Sequence, residues 1–353
     1  MDPEHPDGDG AVRRPAGAPP DVVVLVVTWR GRAFIDECLS SLEAQTHPHR
    51  VLVLDNDSDD GTAAHLADRW PEVPVVRTET NLGFAGGVAA GTRIVEARYP
   101  GIGLLALLND DAAADPDWLA ELVRALDEQP LAAAATSLVL LRDGRVNNAG
   151  NVLVDGLYGA DRGFGQDPAS VGRAEDVFGF SGGAALLRLD AVHAVGGMAA
   201  ELFLYYEDTD LSWRLRLAGH RIVYVPTAVV RHRHSASSNQ ASRRFALFNE
   251  RNRLLVLLRC APLRTAALQI LRFLLVTVSL AGRQALRRTA WPAWQQRPGL
   301  RMSVLLQVVR QLPATLRARR TISRAARLSR AEVLRRWAPG GSGDAGAGIR
   351  ACG

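Results

Sequence analysis

Residues 104–108 form an unbroken apolar run, Leu104-Leu105-Ala106-Leu107-Leu108, that stops at Asn109-Asp110-Asp111. A run of strand length without alternation reads as a strand buried on both faces, as in a parallel sheet covered by helices. Ligands of open α/β sheets bind beyond the carboxyl ends of the strands. The amide and two carboxylates therefore stand where a metal or phosphate site belongs. Carboxylate oxygens are hard ligands suited to Mg²⁺ or Mn²⁺. The structural alternative is a helix start. Asp115-Pro116 fills that role better, as N-cap and first helical residue, which leaves 109–111 for chemistry.

Two earlier strand ends repeat the pattern. The β-branched run 22–27 ends at Thr28-Trp29-Arg30, and 51–54 ends at Asp55-Asn56-Asp57-Ser58-Asp59-Asp60-Gly61-Thr62. Phe34, Cys38, Leu39 and Leu42 keep a helical period between them. A helix to about 69, a strand over 73–77 and a Gly-rich loop at 81–87 that opens another helix follow. This alternation predicts an α/β fold, a right-handed and mostly parallel sheet flanked by helices. The first βα turn lacks G-x-G-x-x-G, which disfavours a dinucleotide-dependent dehydrogenase. Beyond 131 the spacing predicts strands over 132–141, 184–187 and 221–225, the last stopped by Pro226. It also predicts a hairpin or loop over 152–165 and a short helix holding Leu211, Leu215 and Leu217 that ends at its C′ residue Gly219.

Charge divides the chain. All 42 basic residues are Arg; 24 of them lie after position 230 against 3 acids, a balance of +21, whereas residues 1–230 carry −16. The natural partner of such a tail is an anionic surface. No zinc-finger spacing, basic zipper or RNA-binding aromatic signature accompanies the charge, so nucleic acid is not expected. Helices are predicted over 243–259 and 265–286. The longest apolar stretch, 273–282, lies between Arg272 and Arg283 and is too short to span a bilayer. With Trp291, Trp294 and the following Arg-rich segments it reads as a helix lying in a membrane interface. Cys38, Cys260 and Cys352 are odd in number and far apart, which suggests a reducing compartment and no disulfide frame. Residues 1–20 are polar and rich in Pro and Gly, unlike a secretion signal.

Together these motifs resemble glycosyltransferase family 2, inverting enzymes of GT-A fold, in its rhamnosyltransferase-like branch. The resemblance covers about 22–259. Asp55-Asn56-x-Ser58-x-Asp60-Gly61-Thr62 is similar to the family's D-N-x-S-x-D-G-T, and Asn81-x-Gly83-Phe84-Ala85-x-Gly87 to N-x-G-F-A-x-G. Leu107-Leu108-Asn109-Asp110-Asp111 stands where the family has its variant of D-x-D. Phe203-Leu204-Tyr205-Tyr206-Glu207-Asp208-x-Asp210-Leu211 resembles the segment carrying the base, and Pro226 followed by His232 resembles a late histidine. Asn is common in the family near Val88-Ala89, and G-G-F-D-E is replaced here by Gly196-Gly197-Met198-Ala199-Ala200.

The resemblance implies the following organisation. Residues 1–20 are unstructured. Residues 21–240 form the GT-A domain, with a nucleotide-binding half at about 21–130 and an acceptor half at 131–240. A helical, Arg-rich, membrane-associating extension covers 241–338, and 339–353 are an unstructured tail. It also implies roles. A nucleotide-diphosphate sugar donor would meet Thr28, Asp55, Asp60, Asn81, Gly83, Phe84, Gly87, Asn109 and Asp110. Asp55 would bond the base, and Asp60 would reach the ribose or merely start a helix. Gly83 and Gly87 would let the backbone come close to the nucleotide. Asp111, with His232, would hold Mg²⁺ or Mn²⁺ against the pyrophosphate leaving group. Asp208, with Glu207 beside it, would take the proton from the attacking hydroxyl. The acceptor would be polyprenyl-linked or an envelope glycan, and the site of work cytoplasmic, peripheral at the inner face of the membrane. A catalytically weakened homologue acting as a binding partner is the competing expectation. Its support is the departures at 88–89 and 198–200. A nucleotidyltransferase would leave Glu207-Asp208 and the Arg-rich tail unexplained.

Overall fold

The computed structural model describes residues 22–232, 241–287 and 293–341. The expected unstructured segment 1–20 lies outside the described residues, as does most of 339–353. The first half comprises β1 (Val22–Thr28), α1 (Ile35–Glu43), β2 (Arg50–Asp55), α2 (Thr62–Arg69), β3 (Val75–Arg77), α3 (Gly83–Arg98), β4 (Leu104–Leu108), β5 (Ala112–Ala114) and α4 (Trp118–Asp127). The second comprises β6 (Ala132–Leu140), β7 (Val146–Asn148), β8 (Asn151–Val154), β9 (Tyr158–Asp161), β10 (Glu175–Asp176), β11 (Ala184–Arg188), α5 (Leu189–Ala194), α6 (Glu207–Leu217) and β12 (Arg221–His232). Then follow α7 (Arg243–Cys260), α8 (Leu263–Arg287), α9 (Pro298–Ala325) and α10 (Arg330–Trp337).

One mixed sheet runs in the order β10-β12-β6-β11-β4-β1-β2-β3, with β5 beside β12 and β7 beside β6. Its β4-β1-β2-β3 part is parallel, as the alternation requires. β12 and β6 are parallel to each other as well, so the sheet is mostly parallel along its main order, and the antiparallel pairs are local. β11 runs antiparallel to both β4 and β6. The chain enters β11 through Gly183 at the edge where β4 ends, so it must run away from that edge. β1 shows why an unbroken Val run suits this position. Val23, Leu25 and Val27 pack into one cluster with residues of α3, α6 and α7, and Val22, Val24 and Val26 into the other with α1 and α4. No face is left for polar residues, so the ladder ends are where polarity begins.

Three local expectations are corrected. Asp115 is not the N-cap of α4. Ala112–Ala114 pair with β12 instead, which delays the helix until Trp118, with Asp117 at the cap position. Pro226 does not end its strand. β12 continues to His232, and the register against β6 shifts between Val225 and Val229. A residue without an N–H is tolerated at such an irregularity. Nor is the apolar part of α8 too short to cross a bilayer. Leu263–Leu286 is 24 residues long and contains an 18-residue window of mean hydropathy 1.6, enough by length and composition. Counting only between Arg272 and Arg283 had truncated it.

The segment 241–338 is no loose appendage. In α7, residues 250–260 are buried, and α8 and α9 pack on it. Arg301 on α9 lies over the Phe273 ring at 3.7 Å and donates to Thr277 Oγ1 at 2.9 Å, strapping α8 down. The chain then returns to the sheet domain. The Arg327 and Leu328 amides donate to Leu217 O, at 2.8 and 2.9 Å, and the Arg216 guanidinium lies 4.3 Å over buried Trp337. Cys38 and Cys260 are buried and unpaired.

Candidate active site

The ends of β1, β2 and β4 share one edge because their registers align Thr28 with Asp55 and Leu25 with Leu107. A cleft of about 530 Å³ opens there. Asn81, Gly83, Phe84, Asn109, Asp110, Glu207, Asp208 and His232 line it together with residues of the 147–151 turn, β9 and the first turns of α7. Sequence stretches some 120 residues apart thus meet in one cavity.

At one end β12 delivers His232 beside Ala112, its ladder partner on β5. That register brings His232 Nε2 to 2.9 Å from Asp111 Oδ1, with Asn109 Nδ2 at 3.3 Å. His232 Nδ1 lies 2.8 Å from Asn147 Oδ1. Asp110 turns the other way. It accepts a 2.6 Å hydrogen bond from Thr28 Oγ1 and is 8 % exposed. Burial pushes its carboxyl up to about 7; the Thr28 bond opposes this and the Asp111 charge adds to it.

At the other end α6 begins. Phe203, Tyr205 and Tyr206 all hold φ near +70°, a conformation costly for bulky residues and characteristic of functional turns. The turn is clamped from both sides. The Ala85 amide donates to Phe203 O at 3.1 Å. Asn252 Nδ2, on α7, lies within 2.9 Å of the carbonyls of Leu202, Leu204 and Tyr205. Asp208 Oδ2 then accepts from Asn151 Nδ2 at 3.0 Å and from the Gly182 amide at 3.3 Å, while Thr209 N donates to Oδ1 at 2.6 Å. Glu207 is 7 % exposed and its Oε2 has no hydrogen-bond partner. Burial, reinforced by the Asp208 charge, pushes its carboxyl up to about 8. Asp210 instead pairs with Arg214 at 2.8 Å and Arg259 at 3.3 Å, a structural use.

The other residues expected to meet the donor also make contacts within the chain. Asp60 Oδ1 accepts from Thr62 N at 3.1 Å, at the first residue of α2, whose N-cap position is Gly61. Asn81 Oδ1 accepts from Gly83 N at 2.8 Å. The space a Cβ on Gly83 would need holds the Phe203 carbonyl, and on Gly87 the Val27 side chain. Asp55 is fully buried, with Oδ1 taken by the Ser58 amide at 3.0 Å and Oδ2 without a hydrogen bond. Asp55, Asp60 and Gly87 lie outside the cleft lining. Val88 packs in the core, as do Met198 and Ala199. Sequence reasoning missed Asn147, Asn148, Asn151, Asp161 and Asn252; the run Asn147-Asn148-Ala149-Gly150-Asn151 was the available signal.

Asp110, Asp161, Glu207 and Asp208 line the cleft with Asp111 behind His232, and among the described residues Arg244 is the lining arginine. Glu207 is protonated near pH 7, so the negative charge an anionic diphosphate would meet there is that of Asp208 and its neighbours, which an accompanying cation would offset. Asp111 and His232 converge without forming a closed cage, and no group of three or more His, Cys, Asp or Glu ligands exists among the described residues.

The "Glycosyltransferase like family 2" model matches residues 19–253. An N-acetylglucosaminyl-diphospho-decaprenol L-rhamnosyltransferase of Mycobacterium tuberculosis is 30% identical over 241 residues, 62% of this chain and 78% of that protein. The O-antigen biosynthesis protein RfbC of Myxococcus xanthus is 28% identical over 64% of this chain and 18% of its own length. Among solved structures, GalNAc-T7 with UDP, GalNAc and Mn²⁺ superposes with TM-score 0.53 at 15% identity, over 67% of this chain and 47% of that one. The Pyrobaculum calidifontis mannosyltransferase PcManGT, with GDP-Man and Mn²⁺, gives 0.51 at 17%, over 83% and 88%. These two share the GT-A fold. The chain belongs to glycosyltransferase family 2, is a glycosyltransferase, and within the family is rhamnosyltransferase-like.

Proposed function

We propose that this enzyme moves a sugar of the rhamnose type from a nucleotide-diphosphate donor to a polyprenyl-linked or envelope-glycan acceptor, with inversion. The observation that carries the reading is one cleft with a fixed carboxylate, Asp208, on one wall and His232, bonded to Asp111 behind it, on another. Asp208 takes the proton of the acceptor hydroxyl as that oxygen attacks the anomeric carbon from the face opposite the diphosphate. Held by Asp111 and His232, Mg²⁺ or Mn²⁺ would stabilise the charge that develops on the leaving diphosphate. Glu207, neutral near pH 7, offers an O–H to a sugar hydroxyl rather than a second base. The Mycobacterium relative's named substrate supports a lipid-linked acceptor, and the Mn²⁺ complexes of the two structural neighbours support the metal.

The same reading places the enzyme on the cytoplasmic face of an anionic membrane. Leu268, Leu275 and Val278 on α8 and Leu306 and Val309 on α9 are each more than half exposed, beside Arg264, Arg272 and Arg310. Apolar side chains entering the interface while Arg meets lipid phosphate is the pattern of a surface-lying helix pair.

The test is a panel of nucleotide sugars offered to the purified chain with a polyprenyl-diphosphate-sugar acceptor. Transfer from one donor, abolished by chelator and by Asp111→Ala, is expected. Neither transfer nor hydrolysis with any donor would sink the reading.

A further inference from the structure

Three buried asparagines, Asn147, Asn148 and Asn151, sit where β7 turns into β8. Asn147 Oδ1 lies 2.8 Å from His232 Nδ1. Asn148 Nδ2 donates to Asn151 Oδ1 at 3.0 Å and to Asp161 Oδ1 at 2.6 Å. Asn151 Nδ2 donates to Asp208 Oδ2 at 3.0 Å and to Phe180 O at 2.8 Å. One short turn therefore touches the histidine at one end of the cleft and the carboxylate at the other. An amide is suited to this because it donates and accepts at once.

The turn is itself held in place. Asn148 Oδ1 accepts from the Gly150 amide at 2.7 Å. Gly150 has φ +98°, and a Cβ there would stand 2.9 Å from Val177 Cγ2. Asn151 and Gly179 exchange main-chain bonds of 2.7 and 3.1 Å. Asparagines fixed this firmly can fix what they touch.

We propose that the 147–151 turn positions both halves of the reaction: Asn147 holds the His232 ring with Nε2 toward Asp111, and Asn151 holds the Asp208 carboxylate toward the acceptor. The inference rests on the reading of Asp111 and His232 as metal ligands and of Asp208 as base. A ligating imidazole whose second nitrogen is bonded has its tautomer and orientation set, and loss of such a partner costs about 10–100-fold in metal affinity. Asn151 acts in the same way on Asp208. With Gly182 N it takes one carboxylate oxygen, while Thr209 N takes the other. Both asparagines are positioning residues, since each acts through another side chain.

The test uses the full chain and two separate readouts. The first is Mn²⁺ affinity by electron paramagnetic resonance titration, with Mn²⁺ alone as the probe. The second is kcat and KM with the donor that the panel identifies. Asn147→Leu keeps the volume but removes the acceptor, and should weaken Mn²⁺ binding about 10–100-fold. Asn147→Asp restores an acceptor and should recover it. Asn151→Ala should lower kcat tenfold or more while KM for the donor and Mn²⁺ affinity stay put. If it fails to fold, Asn151→Asp keeps the shape, replaces the donor by a carboxylate, and should show the same loss. Wild-type Mn²⁺ affinity in Asn147→Leu, or wild-type kcat in a folded Asn151 variant, overturns the proposal. Asp111→Ala, His232→Ala and Asp208→Asn run alongside. Unchanged Mn²⁺ affinity in the first two, or unchanged kcat in the third, would show that the underlying reading has failed instead.

Discussion

The carbonyl oxygen of Phe203 stands 2.2 Å from where a Cβ on Gly83 would be. The Gly-rich loop and the turn that delivers Glu207 and Asp208 are thus in backbone contact. The glycine there makes room for protein, not only for nucleotide.

Gly83→Ala should therefore damage the base end of the cleft. Its φ of +70° is unfavourable for alanine, and the added methyl meets backbone, which cannot swing aside. Strain of this kind costs about 1–3 kcal/mol. A urea titration should register that loss, and kcat should fall with it. Wild-type stability and turnover together would refute the contact's importance.

Asp208→Asn should lower kcat by about 10²–10⁴, the range of a general base. Donor KM should change little. Glu207→Gln should retain most activity, because burial already keeps that carboxyl protonated near pH 7. Should the two variants behave the other way round, the base is Glu207.

Stability of the metal-free protein should fall as pH rises from about 5 to about 8. Glu207, pushed up to about 8 by burial and then by Asp208, binds a proton in the folded state that the unfolded chain releases near 4.5. A raised acid contributes stability that is complete below the unfolded pKa and lost as pH climbs through the folded one, at most about 1.4 kcal/mol per unit. Thermal unfolding across that window should show the decline, and Glu207→Gln should make it shallower, the remainder coming from Asp110, raised to about 7 by burial. A wild-type curve no steeper than the variant's would contradict the assignment.

Vesicle sedimentation should show binding to anionic lipid that weakens in high salt. Replacing Leu275 and Val278 by Asp, on the outer side of α8, should release the protein with its fold intact. A chain that stays in the supernatant at low salt with anionic vesicles would make a soluble acceptor the better reading.

Much of the fold was legible in the order of strands and helices, because runs buried on both faces, such as 22–27 and 104–108, are written without alternation. The second half was less so. Nothing local in Ala184–Arg188 records that it runs antiparallel; its direction follows from where the preceding chain arrives. Asp208 and His232 were singled out through motifs, and both line the cleft. Asn252 was hidden because its partners are main-chain carbonyls of Leu202, Leu204 and Tyr205, which leave no pattern in side-chain spacing. Gly83 was seen but given a nucleotide neighbour, since sequence shows that space is needed and not what fills it.

The return of α9 and α10 to the sheet domain, through Leu217, Trp337 and the Arg336–Asp176 pair at 2.9 Å, has a geometric consequence. The exposed leucine face of α8 and α9 is thereby tied to the domain that carries the cleft. A surface engaging that face would meet Asp208, the proposed base, at a set stand-off, as a caliper meets its work. Acceptors would then be sorted by how far their reactive hydroxyl projects from the lipid, before any contact with the sugar ring.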